Sequence, residues 1–435
     1  MHRSHRSRPR AAMMSASAAL SAAMMSAAMM SAAALSAGPA AAEPRVEVLH
    51  YWTSGGESRA VAVLKQDFEA AGGTWKDAPV AGGGGDAAAT VLRSRALAGV
   101  PPTVVQLKGP NIKDWASEGV LVTLDDVAAA EHWDALQPAA LQEVVKYQGH
   151  YVAVPVNIHK VNWIWANPAV LARVGARVPQ SWEEFNATAD RLKAAGIVPL
   201  AHGGQPWQDA TLFETVVLGI GGADFFRRAL VGLDEAALRS DTMIRVFDQM
   251  RRLRGYVDPG FSGRDWNLAT AMVMNGEAAM QIMGDWAKGE FLAAGRQPGR
   301  DFLCAHAPGA PGFILNSDSF VMFKGRTPDQ AAGQTLLARL VFGPKFQETF
   351  NLYKGSIPAR LDTPRDRFDV CAQQAMEDLK SSMEDRSLVP SMAHEIAVPG
   401  AVRGAILDVV TEHFNTGMTS AQAVDRLVAT IGLAR

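Results

Sequence analysis

Trp52, Glu57, the glycine run AGGGGD at 81–86, Gln106, Lys108, Asn157, His159, Trp207, Asp285, Trp286, Asp318, Lys354 and His394 fall at the ends of strand-like runs or in turns of the chain. Indole faces suit a flat C–H surface, and carboxylates, amines and imidazoles suit the hydroxyls around its rim. Together they are the inventory that a sugar site needs. Other chemistries fit less well. AGGGGD is not followed by Gly-Lys-Ser/Thr, so it is not a nucleotide loop. It reads as a turn in which Gly83 and Gly84 let backbone approach a ligand. No His-x-x-x-His pair marks a metal site, and no cofactor is implied. NSDSF at 316–320 lacks the G-x-S-x-G frame of a hydrolase nucleophile. Glu57 and Asp318 have the residue types of a glycosidase pair, whose defining separation a sequence does not carry. Most of the ten tryptophans must be core.

Elements are needed to hold these groups. RVEVLHYW is a β-rich start that ends in Tyr51 and Trp52. SRAVAVLKQDFEAAGG has helical apolar spacing and stops at a glycine pair. PPTVVQL is a short strand after a proline pair. Strands alternating with helices predict a parallel sheet with crossover connections. GHYVAVPVNIHKVNWIWAN, interrupted at Pro155, is long enough to pass from one domain to another. In PQSWEEF, Ser181 is a predicted N-cap with Glu184 completing a capping box. The run LGIGGADFF separates predicted helices, and GRDFLCAHAPGAPGFILNSDSFVMFKG is again strand-rich. Two strand-rich passages, near 153–157 and 303–308, predict two lobes between which the chain crosses more than once.

The composition sets bounds. A chain of 435 residues, 48% hydrophobic, with a net charge of -2 is long enough for two domains and gives no electrostatic reason to expect nucleic acid. After residue 43 no unbroken apolar run reaches the length of a membrane span. The first 42 residues are basic and then Ala/Met/Ser-rich, with no acid before Glu43. They read as an export signal cleaved near Ala42, with an organellar transit peptide as the competing reading. Cys304 and Cys371 form an even pair. In an oxidising compartment they are either one bridge or two buried thiols.

VLHYWTSGGES, VVQLKG, PVNIHK, SWEEF, MGDWA, LNSDSF, LYKGSIPARLD and the histidine of SMAHEIAVPGA occur in an order that resembles the periplasmic glucose/mannose-binding proteins of bacterial ABC transporters, within the family 1 extracellular solute-binding proteins. The resemblance runs from about residue 46 almost to the end. It implies an α/β two-lobed periplasmic-binding-protein fold of the type II kind, with a ligand cleft between lobes joined by a multi-strand hinge. The lobes expected are 43–154 with 306–342, and 155–305 with 343–435. It implies no catalysis: a monomer captures a hexose and delivers it to a permease in the inner membrane. Trp52 and Trp286 look like the stacking aromatics, and Glu57, Gln106, Lys108, Asp318, Lys354 and His394 like the hydroxyl-binding groups. Trp207 and Asp285 are second contacts, and Asn157 and His159 lie in the inter-lobe crossover. Many relatives carry Trp-Trp where this chain has Tyr51-Trp52. The alternatives are a receptor for a disaccharide or other glycoside, which differs in cleft volume, and an exported glycoside hydrolase, which differs in turnover.

Overall fold

The structure is a computed structural model that describes residues 42–435 apart from Arg326. The predicted leader, but for Ala42, lies outside the described residues. The strands that matter here are β1 (Arg45–His50), β2 (Thr74–Pro79), β3 (Val104–Leu107), β4 (Ala153–Pro155), β5 (His159–Lys160) and β6 (Trp163–Ala166). They continue with β7 (Val198–Leu200), β8 (Ala278–Met283), β9 (Leu303–His306), β10 (Phe313–Asn316), β11 (Ser319–Met322) and β12 (Leu388–Pro390).

Three sheets organise them. The first has the order β2-β1-β3-β11-β4, the second β9-β6-β8-β7, and a small third sheet β12-β10-β5 lies on the path between them. In the first, β1 runs parallel to β2 and β3, while β11 is antiparallel to both its neighbours. The chain therefore leaves the first sheet at β4, passes through the third at β5 and enters the second at β6. It returns by the same route through β9, β10 and β11. A further crossing is tied in where Ile158 and Ile357 exchange backbone hydrogen bonds of 2.8 and 3.0 Å. The result is the two-lobed α/β fold that the resemblance implied.

Helices cover the sheets. In the first lobe α1 (Gly55–Ala70) buries Ala60, Val61, Leu64 and Phe68 at helical spacing. It is followed by α2 (Asp86–Leu97) and α3 (Gly109–Ser117). The second lobe carries α4 (Pro206–Phe226), α5 (Asp241–Arg254), α6 (Trp266–Met274) and α7 (Trp286–Ala293). Then come α8 (Pro328–Phe342), which packs on β1, and α9 (Pro344–Lys354), which packs along α1. The chain ends in α10 (Val370–Glu384), α11 (Gly400–Asn415) and α12 (Ser420–Ala434). β4, β6 and β8 are buried along their whole length, as expected for strands covered on both faces.

One local expectation changes. Ser181 caps its helix, its Oγ accepting from the Glu184 amide at 3.2 Å, but the Glu184 carboxylate accepts from the amide of Gln180 instead of closing the box. The glycine run does separate two helical stretches: within Pro206–Phe226 the backbone is non-helical at Gly222, with φ 75° and ψ 175°, and the helix kinks there, a conformation that glycine adopts without strain. Cys304 on β9 and Cys371 on α10 are joined as a disulfide, with Cα atoms 6.0 Å apart.

Candidate functional site

β1 ends at His50, and the turn to α1 places Tyr51, Trp52 and Glu57 at the carboxyl end of the first sheet, where open α/β sheets bind ligands. Trp52 is 2% exposed. It packs edge-on to Phe320 (ring centroids 5.5 Å apart) and lies 5.2 Å from Phe350. Its Nε1–H has no protein acceptor. Glu57 sits in the first turn of α1, where the helix dipole favours a carboxylate. One of its oxygens accepts from the Ser54 amide at 3.4 Å and the other from Lys354 Nζ at 2.9 Å. Lys354 is the last residue of α9, which stops because Gly355 takes φ 91°.

Asp318 lies just before β11 and is the hub. Tyr51 Oη and Gln106 Nε2 donate to its Oδ1 at 3.3 and 3.0 Å, and Asn157 Nδ2 and His159 Nε2 to its Oδ2 at 3.1 and 3.0 Å. A carboxylate offers about four lone-pair positions, so protein donors fill them. Burial alone would raise the Asp318 pKa. The His159 hydrogen bond and charge, with Lys354 and Lys108, override burial and hold it well below the usual range. The other ring nitrogen of His159 pairs with Asp285. Both nitrogens face carboxylates, so both carry protons. Burial opposes that charge, but Asp285 and Asp318 outweigh it and raise the His159 pKa.

Lys108 is 4% exposed, and burial lowers its pKa. Its ammonium makes one hydrogen bond, 3.1 Å to the carbonyl of Gly84, although it has three protons to donate. His394 is assigned by its neighbour. Thr211 gives its hydroxyl proton to the Trp207 carbonyl at 2.8 Å, so the contact of 3.1 Å between Thr211 Oγ1 and His394 Nε2 must be donated by the histidine. Burial, then the charges of Lys108 and Arg403, push the His394 pKa well below normal and keep it neutral. Nδ1 is thus left with a lone pair.

These groups line one small chamber. Its lining includes Trp52, Glu57, Gly83, Gly84, Lys108, Trp207, Trp286, Asp318, Lys354 and His394. Gln106 stands behind, holding Asp318 and, through Oε1, the Tyr51 amide at 3.1 Å. Asn157 and Asp285 are likewise supports, while His159 reaches the lining. One wall is aromatic: Trp286 lies 6.4 Å from Trp207 and 5.0 Å from His394, centroid to centroid. Gly83 and Gly84 act on the protein itself. A Cβ on either would sit 2.8 or 3.0 Å from the Trp207 ring, so the glycines let that ring close on the turn.

The sequence reading passed over Trp266 and Asn316 and left Tyr51 without a role, and all three line the chamber. Asn316 Oδ1 has no protein donor. Its signal was its place two residues before Asp318 in the same strand-rich run, at the end of β10 where the chain passes toward β11. Trp266 opens a helix like several others and carried no such mark.

The model of the bacterial extracellular solute-binding proteins matches residues 51–337. The chain belongs to that family. It is 53% identical over 391 residues to a "probable sugar-binding periplasmic protein" of Brucella suis, covering 90% of this chain and 92% of that protein. A protein of the same name from Rhizobium meliloti is 52% identical over 395 residues, covering 91% and 95%. Among solved structures, a bacterial solute receptor described as having an exclusive preference for β-D-galactopyranose matches with TM-score 0.76 at 18% identity, over 90% of this chain and 99% of that one. Maltose-bound MalE3 of T. maritima matches with TM-score 0.71 at 16% identity, over 89% and 99%. These likenesses carry the fold. The chain is a solute-binding protein and not an enzyme.

Proposed function

We propose that this protein is a periplasmic receptor for a neutral monosaccharide, a hexose of the glucose or mannose kind, which it closes upon and hands to the membrane permease of an ABC importer. One observation carries the reading: the chamber is small, walled with indoles, and balanced in charge. The lining carboxylates Glu57 and Asp318, with Asp285 behind His159, meet three cations (Lys354, Lys108 and His159). A uronic or amino sugar would leave that balance with an uncompensated buried charge, which is costly.

The unspent polar atoms define what the ligand must offer. The Trp52 Nε1–H and the spare protons of Lys108 need acceptors, while Asn316 Oδ1 and His394 Nδ1 need donors. A hydroxyl is both, so a ring bearing several can answer each. Trp286 and Trp207 give the C–H face its aromatic contact. The names of the Brucella and Rhizobium relatives support sugar as the class.

The lobes, on this reading, are 43–154 with 306–342 and 155–305 with 343–435. The insertion of β11 between β3 and β4 supports the first pairing, while the packing of α9 along α1 makes the boundary near 343 a shared one.

Calorimetric titration with hexoses, the matching hexuronates and disaccharides tests the proposal. The expected result is heat with a neutral hexose and none with its uronate. Binding of a disaccharide but of no monosaccharide would overturn it.

A further inference from the structure

The contacts between the two lobes are not all made by the chamber. Outside its lining, the loop 391–397 of the second lobe reaches the start of α3 in the first. The Glu395 carboxylate accepts from Asn111 Nδ2 at 2.9 Å and lies 3.4 Å from Arg403 Nη1. Arg403 reaches Asp86 of the first lobe at 3.0 Å. Backbone meets backbone beside these pairs. A Cβ on Gly109 would stand 1.5 Å from the Glu395 carbonyl oxygen, so only glycine permits the approach.

The loop is shaped for this reach. Glu395 adopts φ 63°, a conformation that side chains other than glycine seldom take and that surrounding structure must enforce. The enforcement is visible. Buried Glu214 of α4 accepts from Ser391 Oγ at 2.6 Å and from the amides of Met392 and Ala393 at 2.7 and 3.1 Å. Arg403 Nε donates to the Ala393 carbonyl at 2.9 Å. The same loop thus presents His394 to the chamber and Glu395 to the opposite lobe.

We propose that Glu395, with Asn111 and Gly109 opposite, is a positioning clasp: it favours the closed arrangement without touching the ligand and so sets how long a bound solute stays. The inference rests on the receptor reading for its ligand but not for its geometry. Interactions that exist only in the closed state act on release more than on encounter.

The test uses Glu395→Ala and Asn111→Ala, singly and together, with D-glucose as probe followed by stopped-flow tryptophan fluorescence. Each single variant should release glucose about tenfold faster with an unchanged association rate, and the double variant should lose little more than either. Spin labels on cysteines placed at the exposed Leu97 and Leu433 supply a second readout in sugar-free protein. There, Glu395→Ala should shift the distance distribution toward the longer, open separation. If wild-type protein ignores glucose, glucose fails as the ligand, while the distances still decide the clasp. An unchanged distribution, or an unchanged release rate where glucose binds, overturns it.

Discussion

At the scale of single residues, Asp318 does two jobs. Its four protein donors make it the knot between Tyr51, Gln106, Asn157 and His159, and it also lines the chamber. Asp318→Asn keeps the shape but turns an amide against two of those donors. Hydrogen bonds to charged groups are worth about 1.5–3 kcal/mol. Affinity for the cognate hexose should therefore fall by roughly tenfold to a hundredfold, and the sugar-free protein should also melt lower. Wild-type affinity in this variant would remove Asp318 from the site. The two stacking candidates should separate. Trp52, wedged against Phe320 and Phe350, should cost about 3–5 kcal/mol of stability when cut to alanine. Trp286→Ala should weaken binding with a smaller change in melting temperature. Equal thermal losses in both variants would contradict this.

At the scale of elements, α4 carries a titration that belongs to the fold. Burial is the largest influence on Glu214 and raises its pKa to about 7, against hydrogen bonds from Ser391, Ala393 and Met392 that favour the ionised form. A carboxyl with a raised folded pKa adds stability below its unfolded value near 4.5 and loses it as pH climbs toward 7. The swing is on the order of 3 kcal/mol. Glu214→Gln should flatten that slope, so the variant gains on wild type in melting temperature between pH 5 and pH 8. A constant difference across that window would rule the assignment out. The elements themselves were legible to different degrees. β1 and α1 follow from local pattern, since alternation or helical spacing lies within a dozen residues. The pairing of β11 with β3 does not, because partners such as Phe320 and Gln106 meet only after intervening segments have folded. Trp52, Glu57, Lys108, Trp286, Asp318, Lys354 and His394 were found by motif. Asn316, Trp266 and the left-handed Glu395 were not, because their roles come from what the opposite lobe brings to them.

At the scale of the whole molecule, the disulfide closes a separation of 67 residues and ties β9 to α10. On the chain-entropy account a loop of that size is worth about 4 kcal/mol. Alkylation without reductant should label neither cysteine, and reductant should lower the melting temperature. Two labelled thiols in native protein would contradict the bridge. The exported protein is expected to start near Glu43, and an intact Met1 in periplasmic extract would refute that cleavage.

Because the backbone travels between the lobes through β4–β6, through β9–β11 and again near Ile357, neither half is a separate length of string. A protease nick in any single passage would leave the halves threaded through the others. Such a cut chain should run as two bands on a denaturing gel yet elute as one particle. A tear in the ribbon need not be a tear in the machine, and each connecting passage is a place where the chain could be reopened and its old ends rejoined.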